Sequence, residues 1–449
     1  MSTLADNQAG WRFWIDRGGT FVDVIARSPD GRLHAAKLLS NDPARGTDAV
    51  LAGIGRFLGV SAGQPLPLER IAEVRVGTTV ATNALLQRKG TRTLFITNEG
   101  LQDILLIGDQ SRPDLFALDI KRTPPLYSEA AAAGLRVDVE GRELGTLDEA
   151  RLKEQLGQAR GRGCESCAIC LMHGWKHREQ EERVAELARE AGFESVLCSH
   201  DVSPVMRLVT RAATTVAEAY LAPVVRRYTG QLAAALPGVP LVFMKSDGGL
   251  AGADAFTACE ALLSGPAGGV VGAVETARRA GFDQVIGFDM GGTSTDVSYY
   301  AGEWERRREV EIAGVKLAVP MLAVETVAAG GGSIVNFDGG RLTVGPDSAG
   351  ADPGPACYRR NGPLAVTDCN LMLGRIAPEY FPRVFGPAGD EALDAEATRR
   401  GFEALAARVA ESTGETVAPE RLAAGALDVA VEHMAAAIKR ISVARGHDP

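Results

Sequence analysis

The sequence predicts an α/β protein of two related lobes, each a mixed β-sheet with helical crossovers. Three observations carry this reading. A nine-residue pattern occurs twice, as Asp16-Arg17-Gly18-Gly19-Thr20-Phe21-Val22-Asp23-Val24 and as Asp289-Met290-Gly291-Gly292-Thr293-Ser294-Thr295-Asp296-Val297. Short apolar runs bracket each copy, residues 11–15 and 21–26 for the first, 285–288 and 297–300 for the second, so each reads as a β-hairpin. After the first hairpin the pattern continues as strand, helix, strand, helix, strand, the order a mixed sheet with crossovers requires.

The elements follow in order. A third strand is expected near residues 33–39. A helix then runs from Asp42-Pro43 through Phe57, with Pro43 suited to its first turn. Strand 74–76 leads into a helix opened by Gly77-Thr78-Thr79 with Asn83, and strand 93–97 follows. Residues 108–145 read as an irregular insertion over a cleft. Strands at 168–171 and 195–197 flank a helix at 179–191. A long helix at 209–236, broken or kinked by Pro223, separates the halves. In the second half, strand 241–244 precedes Ser246-Asp247-Gly248-Gly249, and Ser264-Gly265-Pro266-Ala267-Gly268-Gly269 leads into a helix at 270–279 whose N–H groups could face a nucleotide. Glycine-rich runs at 329–333 and 344–358 are expected to be shaped loops. The division predicted is a disordered N-terminus at 1–10, a domain at 11–208 with the first hairpin, and a domain at 209–449 with the second.

The turn of each hairpin carries the chemistry. Two adjacent glycines and a threonine leave backbone N–H groups without strand partners and let a polyanion approach, because glycine has no Cβ. Asp16 and Asp289, ending the first strand of each copy, suit a hydrated Mg²⁺, which takes carboxylate and water oxygens together with phosphates. Repetition at a spacing of 273 residues points to two homologous lobes holding one nucleotide from both sides. Asp23 and Asp296 either cap the second strands or orient metal waters. Thr78, Thr79 and Asn83 either cap a helix or contact substrate or the terminal phosphate.

Composition narrows the function classes. Lys and Arg total 48 against 57 Asp and Glu, a formal charge of −9, which argues against nucleic acid or an anionic membrane as the main partner. Residues 1–7 lack a basic segment and an apolar core, and no apolar run approaches the ~18 residues of a membrane span, so a soluble, cytoplasmic chain is expected. Seven cysteines read as free thiols. Cys164, Cys167 and Cys170 with His173 and His177 imitate a metal-ligand spacing, but Cys170 begins an apolar strand and no second paired cluster accompanies it. The absence of a G-x-x-x-x-G-K-[ST] run excludes a Walker-type ATPase.

The hairpin pair resembles the phosphate-1 and phosphate-2 hairpins of the actin-like ATPase superfamily, with ribonuclease H-like lobes. Together with Gly77-Thr78-Thr79 and Asn83, residues 246–249, 264–269, 330–333 and 345–358, and Thr367-Asp368-Cys369-Asn370, it resembles the hydantoinase A and 5-oxoprolinase family over residues 11–449. Arg112-Pro113-Asp114-Leu115-Phe116 and residues 381–387 look like the 5-oxoprolinase branch rather than the N-methylhydantoinase or acetone carboxylase branches.

The resemblance implies ATP- and Mg²⁺-dependent hydrolysis of a cyclic amide, 5-oxo-L-proline to L-glutamate with ADP and phosphate, a reaction of the glutathione cycle. It implies catalytic roles for Asp16, Asp289 and Asp296, with Mg²⁺ held through water by Asp16 and Asp289. Nucleotide contacts would come from Gly18, Gly19, Thr20, Gly268, Gly291, Gly292, Thr293, Gly330 and Gly331. Substrate contacts would come from Thr78, Thr79, Asn83 and Arg112, with Arg17 and Arg211 as further candidates for the substrate carboxylate. Cys357 and Asp368 are candidate ligands of a second metal, against a buried thiol and a strand-end carboxylate. A hydantoinase B-like half, in cis or in trans, and a homo-oligomer are implied partners. The family continues past residue 449 into a glycine-rich adenosine-binding segment, so weak ATP binding by this chain is expected. Alternatives are an N-methylhydantoinase or acetone carboxylase ATPase subunit, and an inactive nucleotide-binding scaffold.

Overall fold

A computed structural model describes residues 10–18, 21–40, 48–61, 64–111, 116–120, 122–350, 352–381, 383–386 and 390–448. The N-terminal segment expected to be disordered lies, up to residue 9, outside the described residues, as does the expected helix start at Asp42-Pro43. The chain forms two compact units, 1–268 with 306–322, and 269–305 with 323–449.

The first unit opens with an antiparallel meander, β1 (Trp11–Arg17), β2 (Phe21–Arg27) and β3 (Leu33–Leu39). In β2, Val22, Val24 and Ala26 are buried while the residues between them are exposed, the alternation of a strand with one face on a core. Helix α1 (Ala49–Leu58) covers that face. Asp48 caps it by accepting from Val50 N at 2.8 Å, and Gly59 ends it in a left-handed conformation. Strand β4 (Ile71–Thr78) then pairs in parallel with β1.

After α2 (Val80–Leu86) the chain leaves this sheet. Strand β5 (Thr93–Asn98), expected from its place in the order to extend the mixed sheet, instead lies inside a second, all-parallel one. The physical reason is burial: all six residues of β5 are buried, as a strand covered on both faces requires. Beyond α3 (Ile104–Ile107), part of the segment expected to be an irregular insertion supplies β6 (Glu129–Ala133), parallel to β5, and a short hairpin of β7 (Arg136–Val137) and β8 (Glu143–Gly145). Then come α4 (Glu149–Gly161), β9 (Ser166–Ile169), α5 (Arg178–Glu190), β10 (Ser195–Cys198) and α6 (Ser199–Val202), giving the sheet order β10-β9-β5-β6.

Helix α7 (Leu208–Ala235) runs through Pro223 as one element, where a break or kink was expected. Residues 214–222 are buried without interruption, so packing on all sides stabilises the helix against the one backbone bond that proline forfeits. It lies wholly within the first unit and so does not separate the two. Strands β11 (Leu241–Met244) and β12 (Leu250–Gly252) complete the first sheet, in the order β12-β11-β4-β1-β2-β3. Helix α8 (Ser264–Arg279) includes the Ser-Gly-Pro-Ala-Gly-Gly run expected to precede it; Pro266 sits in its first turn, where a missing N–H costs nothing.

In the second unit, β13 (Gln284–Met290) and β14 (Thr295–Ala301) form the second hairpin. The chain revisits the first unit through four short strands, β15 (Arg306–Arg307), β16 (Val310–Ile312), β17 (Val315–Leu317) and β18 (Met321–Leu322), before β19 (Val324–Val327) pairs with β14. The hairpin of β20 (Ser333–Phe337) and β21 (Leu342–Ser348) packs with α9 (Val366–Met372), α10 (Ala395–Thr413) and α11 (Pro419–Ile441) around Val335, Phe337, Val366, Phe402 and Leu422.

Candidate phosphate-binding hairpins and their surroundings

The two hairpins share their register and the hydrogen bond that closes the turn. Asp16 faces Asp23 across the first, and Asp289 faces Asp296 across the second. Gly18 N donates to Phe21 O at 2.9 Å, and Gly291 N donates to Ser294 O at 2.9 Å. Gly19, Thr20 and Arg112 lie outside the described residues.

Around the first hairpin, β1, β4, α2 and α8 converge. A Cβ built on Gly77 would stand 3.4 Å from Asp16 Oδ1, and one on Gly265 would stand 3.7 Å from the same oxygen, so two glycines border this carboxylate. Thr79 donates to the carbonyl of Arg17 from both N, at 3.1 Å, and Oγ1, at 3.2 Å. Asn83 Nδ2 in turn donates to Thr79 Oγ1 at 3.1 Å. The Ser264 hydroxyl donates to Thr78 O at 2.8 Å and accepts from Thr78 N at 3.3 Å. Thr78, Thr79 and Asn83 are therefore gathered at the end of β1, tied to it and to the start of α8. Gly268 lies in the opening turns of α8, where an added Cβ would stand 3.8 Å from Met244 Cε.

Around the second hairpin, the glycine loop predicted at 329–333 threads directly against the turn. Gly331 N donates to Gly291 O at 3.0 Å and Gly332 N to Gly292 O at 2.6 Å, while Thr295 Oγ1 donates to Ala329 O at 2.5 Å. Thr367 holds the loop from behind, donating from N and Oγ1 to Gly331 O at 2.8 Å each. A Cβ on Gly330 would stand 2.8 Å from both Gly291 O and Ser294 N, so only glycine permits this approach. In a trans peptide each N–H points opposite to the preceding C=O. With the carbonyls of Gly291 and Gly292 turned into the loop, the amides of Gly292 and Thr293 face the other way, at exposed residues, and a Cβ on Gly292 would meet nothing within 4 Å.

The second aspartate of each hairpin has a different partner. Lys37 on β3 lies opposite Asp23, with Nζ 2.6 Å from each carboxylate oxygen. At the corresponding place on β19, Thr326 donates to Asp296 Oδ1 at 2.6 Å and brings no charge. Burial, with the Asp289 carboxylate opposite, holds the Asp296 carboxyl above the usual carboxylate range. The residues present thus fit an anion at the turn amides and a cation at the Asp289–Asp296 pair.

Several sequence-based candidates are structural. Asp368 is fully buried and accepts from Ala356 N at 3.0 Å, Cys357 N at 2.9 Å, Ala365 N at 2.9 Å and Thr398 Oγ1 at 2.7 Å. Both its oxygens are committed to shaping the loop, and burial pushes the Cys357 thiol well up, so this geometry favours a structural carboxylate, placed in the first turn of α9 rather than at the expected strand end, and a buried thiol over a metal pair. Arg211 is fully buried and donates to Ser199 Oγ at 2.9 Å, Val205 O at 2.8 Å, Met206 O at 3.2 Å and Leu171 O at 2.6 Å, which removes it from the candidates for a substrate carboxylate. Ser199 also donates to Glu181 Oε1 at 2.6 Å, and Glu181 further accepts from Leu171 N at 2.8 Å and His200 N at 3.1 Å while its Oε2 meets His200 Nδ1 at 2.8 Å. Glu181 sits in a run of charged residues that gives no sign of burial. The signal was the helical period of its neighbours Val184, Ala185 and Ala188 on the same face. All seven cysteines are free and buried.

Comparison with known proteins agrees with this architecture. Residues 12–192 match the hydantoinase/oxoprolinase N-terminal region and residues 211–449 match hydantoinase/oxoprolinase. The chain belongs to the hydantoinase/oxoprolinase family. It is 42% identical to 5-oxoprolinase 1 of Arabidopsis thaliana over 487 residues, an alignment covering 100% of this chain and 38% of that protein. It is similar to the ATP-dependent caprolactamase of Pseudomonas jessenii, whose crystal structure matches with a TM-score of 0.80 and 32% identity over 98% of this chain and 64% of that one. The nucleotide-free structure of an acetone carboxylase that carries out ATP-dependent acetone carboxylation matches with a TM-score of 0.75 and 25% identity, again over 98% and 64%. The fold is the mixed α/β, actin-like ATPase fold expected. The chain spans about two fifths of the length of the 5-oxoprolinase it matches. No described helix is long and apolar enough to cross a membrane.

Proposed function

We propose that this hydantoinase/oxoprolinase-family chain carries the phosphoryl-transfer part of an ATP-dependent cyclic-amide hydrolase, with 5-oxo-L-proline as the lactam. The observation that carries the reading is the duplicated Gly-Gly-Thr hairpin with its aspartates in matched register, the second copy braced by a glycine loop that turns its amides outward. The 42% identity to a 5-oxoprolinase, against 25% to an acetone carboxylase, supports the lactam over a ketone.

Bound Mg·ATP would supply a phosphoryl group that turns the lactam oxygen into a leaving group, and that oxygen carries no proton to remove. The chain's own residues then need to align and neutralise rather than act as a base on the nucleophile. In the second hairpin Gly292 and Thr293 would offer backbone N–H groups to phosphate oxygens, whereas the N–H groups of Gly18 and Gly291 close their turns, so these two glycines would serve by letting phosphate approach without a Cβ in the way. Asp289 and Asp296 would hold the hydrated Mg²⁺, relieving the repulsion between them, and Asp16 would serve a metal-bound water beside Gly77 and Gly265. Thr79 and Asn83 would orient the substrate at the end of β1. The family resemblance implies net conversion of 5-oxo-L-proline, ATP and two waters to L-glutamate, ADP and phosphate, with the water attack on the activated carbon falling to a hydantoinase B-like segment or subunit. The designation of the caprolactamase relative as a subunit alpha supports such a partner.

Mg·ATP hydrolysis by this chain, with and without 5-oxo-L-proline and with Asp289→Ala as control, tests the proposal. Stimulation by 5-oxoproline that disappears in Asp289→Ala is expected. Absence of any Mg·ATP binding or turnover, also after a B-like partner is added, would refute it.

A further inference from the structure

The first unit holds an arginine, Arg17, whose Nε has no hydrogen-bond partner among the described residues. Arg17 follows Asp16 on β1, and because successive strand residues point to opposite faces, its side chain leaves the sheet on the face away from Asp16 and the start of α8. There the guanidinium lies over the ring of Tyr228 on α7, 4.7 Å from the ring centre. Its ion-pair partner among the described residues, Asp48, is 3.9 Å from Nε, and Asp48 already accepts from Val50 N as the cap of α1. Among the described residues, Arg17 Nε is buried with no hydrogen-bond partner, and so is the hydroxyl of Tyr228, a residue only 7% exposed.

Arginine carries five N–H donors, and leaving buried donors unmade costs free energy that packing alone does not return. The base of the side chain is fixed as well: Arg17 is registered between Val22 and Thr78, and Thr79 holds its carbonyl. A planar fork held at its base by a sheet and along its face by an aromatic ring is pre-organised for a bidentate oxyanion.

We infer that Arg17 and Tyr228 form an oxyanion subsite on the first unit, and that its ligand is the carboxylate of the lactam substrate. Nucleotide phosphate is the other source of the same chemistry. Carboxylate is favoured because the guanidinium lies on the sheet face opposite Asp16, the residue that the proposed function sets beside the metal and phosphates. The choice of lactam rests on the proposed function, whereas the oxyanion subsite does not.

Isothermal titration of the full chain with 5-oxo-L-proline, 2-pyrrolidinone, sodium phosphate and Mg·ATP tests it. 2-Pyrrolidinone is the same ring without the carboxylate. The intact chain is expected to bind 5-oxoproline about tenfold or more tighter than 2-pyrrolidinone, the worth of a charge-assisted pair. Arg17→Met should abolish that preference, Tyr228→Phe should reduce it severalfold with the stack retained, and neither should change Mg·ATP affinity more than about twofold. Weaker phosphate and Mg·ATP binding in Arg17→Met, with the lactam preference intact, would overturn the carboxylate in favour of the nucleotide. No preference for 5-oxoproline in the intact chain, or a preference unchanged in both variants, would overturn the subsite. If Arg17→Met lowers the thermal midpoint, Tyr228→Phe decides. Failure of the phosphoryl-transfer reading is distinguishable, since it appears as absent Mg·ATP binding with lactam binding preserved.

Discussion

Two alanine substitutions, thirty-eight positions apart in sequence and adjacent at the second hairpin, separate structural from ligand-binding glycine. A methyl at Gly330 would lie 2.8 Å from Gly291 O and Ser294 N and 2.9 Å from Gly292 C, all backbone atoms, so the loop or the turn must move by about half an ångström or more. Overpacking of this kind costs about 1–3 kcal/mol, which for a unit of this size lowers the thermal midpoint by roughly 2–12 °C. A methyl at Gly292 meets nothing within 4 Å, and Gly292 is not among the glycines with positive φ. The nucleotide-free Gly292→Ala chain is therefore expected to melt within about 2 °C of the parent, or slightly higher, since alanine narrows the unfolded ensemble.

The two variants should converge in a nucleotide assay. If phosphate oxygens approach the amides of Gly292 and Thr293, the Gly292→Ala methyl occupies that approach and removes at least one charge-assisted hydrogen bond, about 1.5–3 kcal/mol, or roughly 10–150-fold in Mg·ATP affinity. Gly330→Ala should lose affinity as well, by displacing the turn. Scanning calorimetry without ligand and titration with Mg·ATP measure both quantities. A Gly292→Ala chain that binds Mg·ATP as the parent does would refute the cradle; a Gly330→Ala chain with an unchanged midpoint would refute the tight approach of loop to turn.

Other predictions follow from named contacts. Asp296→Asn keeps an acceptor for Thr326 but removes a half-buried charge facing Asp289; at pH values above the raised folded pKa of Asp296 it should raise the metal-free midpoint by the equivalent of roughly 1–3 kcal/mol, and it should abolish stabilisation by Mg²⁺, read by calorimetry with and without the ion. Arg211→Met leaves Leu171 O, Val205 O and the Ser199–Glu181 network without its cation, so urea unfolding should show a loss of about 3–5 kcal/mol, with 5-oxoproline affinity of the folded chain unchanged. The hydrogen bond to Glu181 raises the His200 pKa, so the stability it contributes is complete below the unfolded value of about 6.5 and is lost as pH rises through the higher folded value; His200→Gln should flatten urea midpoints measured from about pH 6 to 9.

What was legible in the sequence was what is local. Both hairpins, the strand at residues 241–244 and the helix at residues 178–190 follow from periodicity and turn residues within a dozen positions. What was not legible depends on distant partners. The run at 264–269 looks like a loop because glycine and proline weaken a helix, yet Ser264 is anchored by Thr78, 186 residues away, and the helix begins there. Strand β5 reads like any apolar strand, and only the cover on both of its faces sends it to a second sheet. Arg211 carried a sharp functional reading because arginine suits carboxylates; the carbonyls of Leu171, Val205 and Met206 that consume its donors are invisible without the fold.

The same contrast bears on the two hairpins, whose sequences look equivalent and whose electrostatics are not. Each sets two carboxylate residues directly opposite one another on neighbouring strands, with Cβ atoms about 5 Å apart by the geometry of such pairs, an arrangement that repels unless a cation intervenes. In the first hairpin the chain supplies the cation itself: Lys37 is registered opposite Asp23 and neutralises it. In the second, the residue in that register is Thr326, which donates a hydrogen bond and brings no charge, while burial holds the Asp296 carboxyl above the usual carboxylate range. A duplicated element that is self-neutralised in one copy and uncompensated in the other divides the labour. The first hairpin suits positioning an anion beside Asp16, whereas the second keeps the demand for a divalent ion. Replacing Thr326 with lysine should transfer the first solution to the second hairpin: the metal-free chain becomes more stable, the Mg²⁺-dependent rise in midpoint is lost, and Mg·ATP affinity falls. A Thr326→Lys chain that still gains stability from Mg²⁺ as the parent does would place the ion away from the Asp289–Asp296 pair.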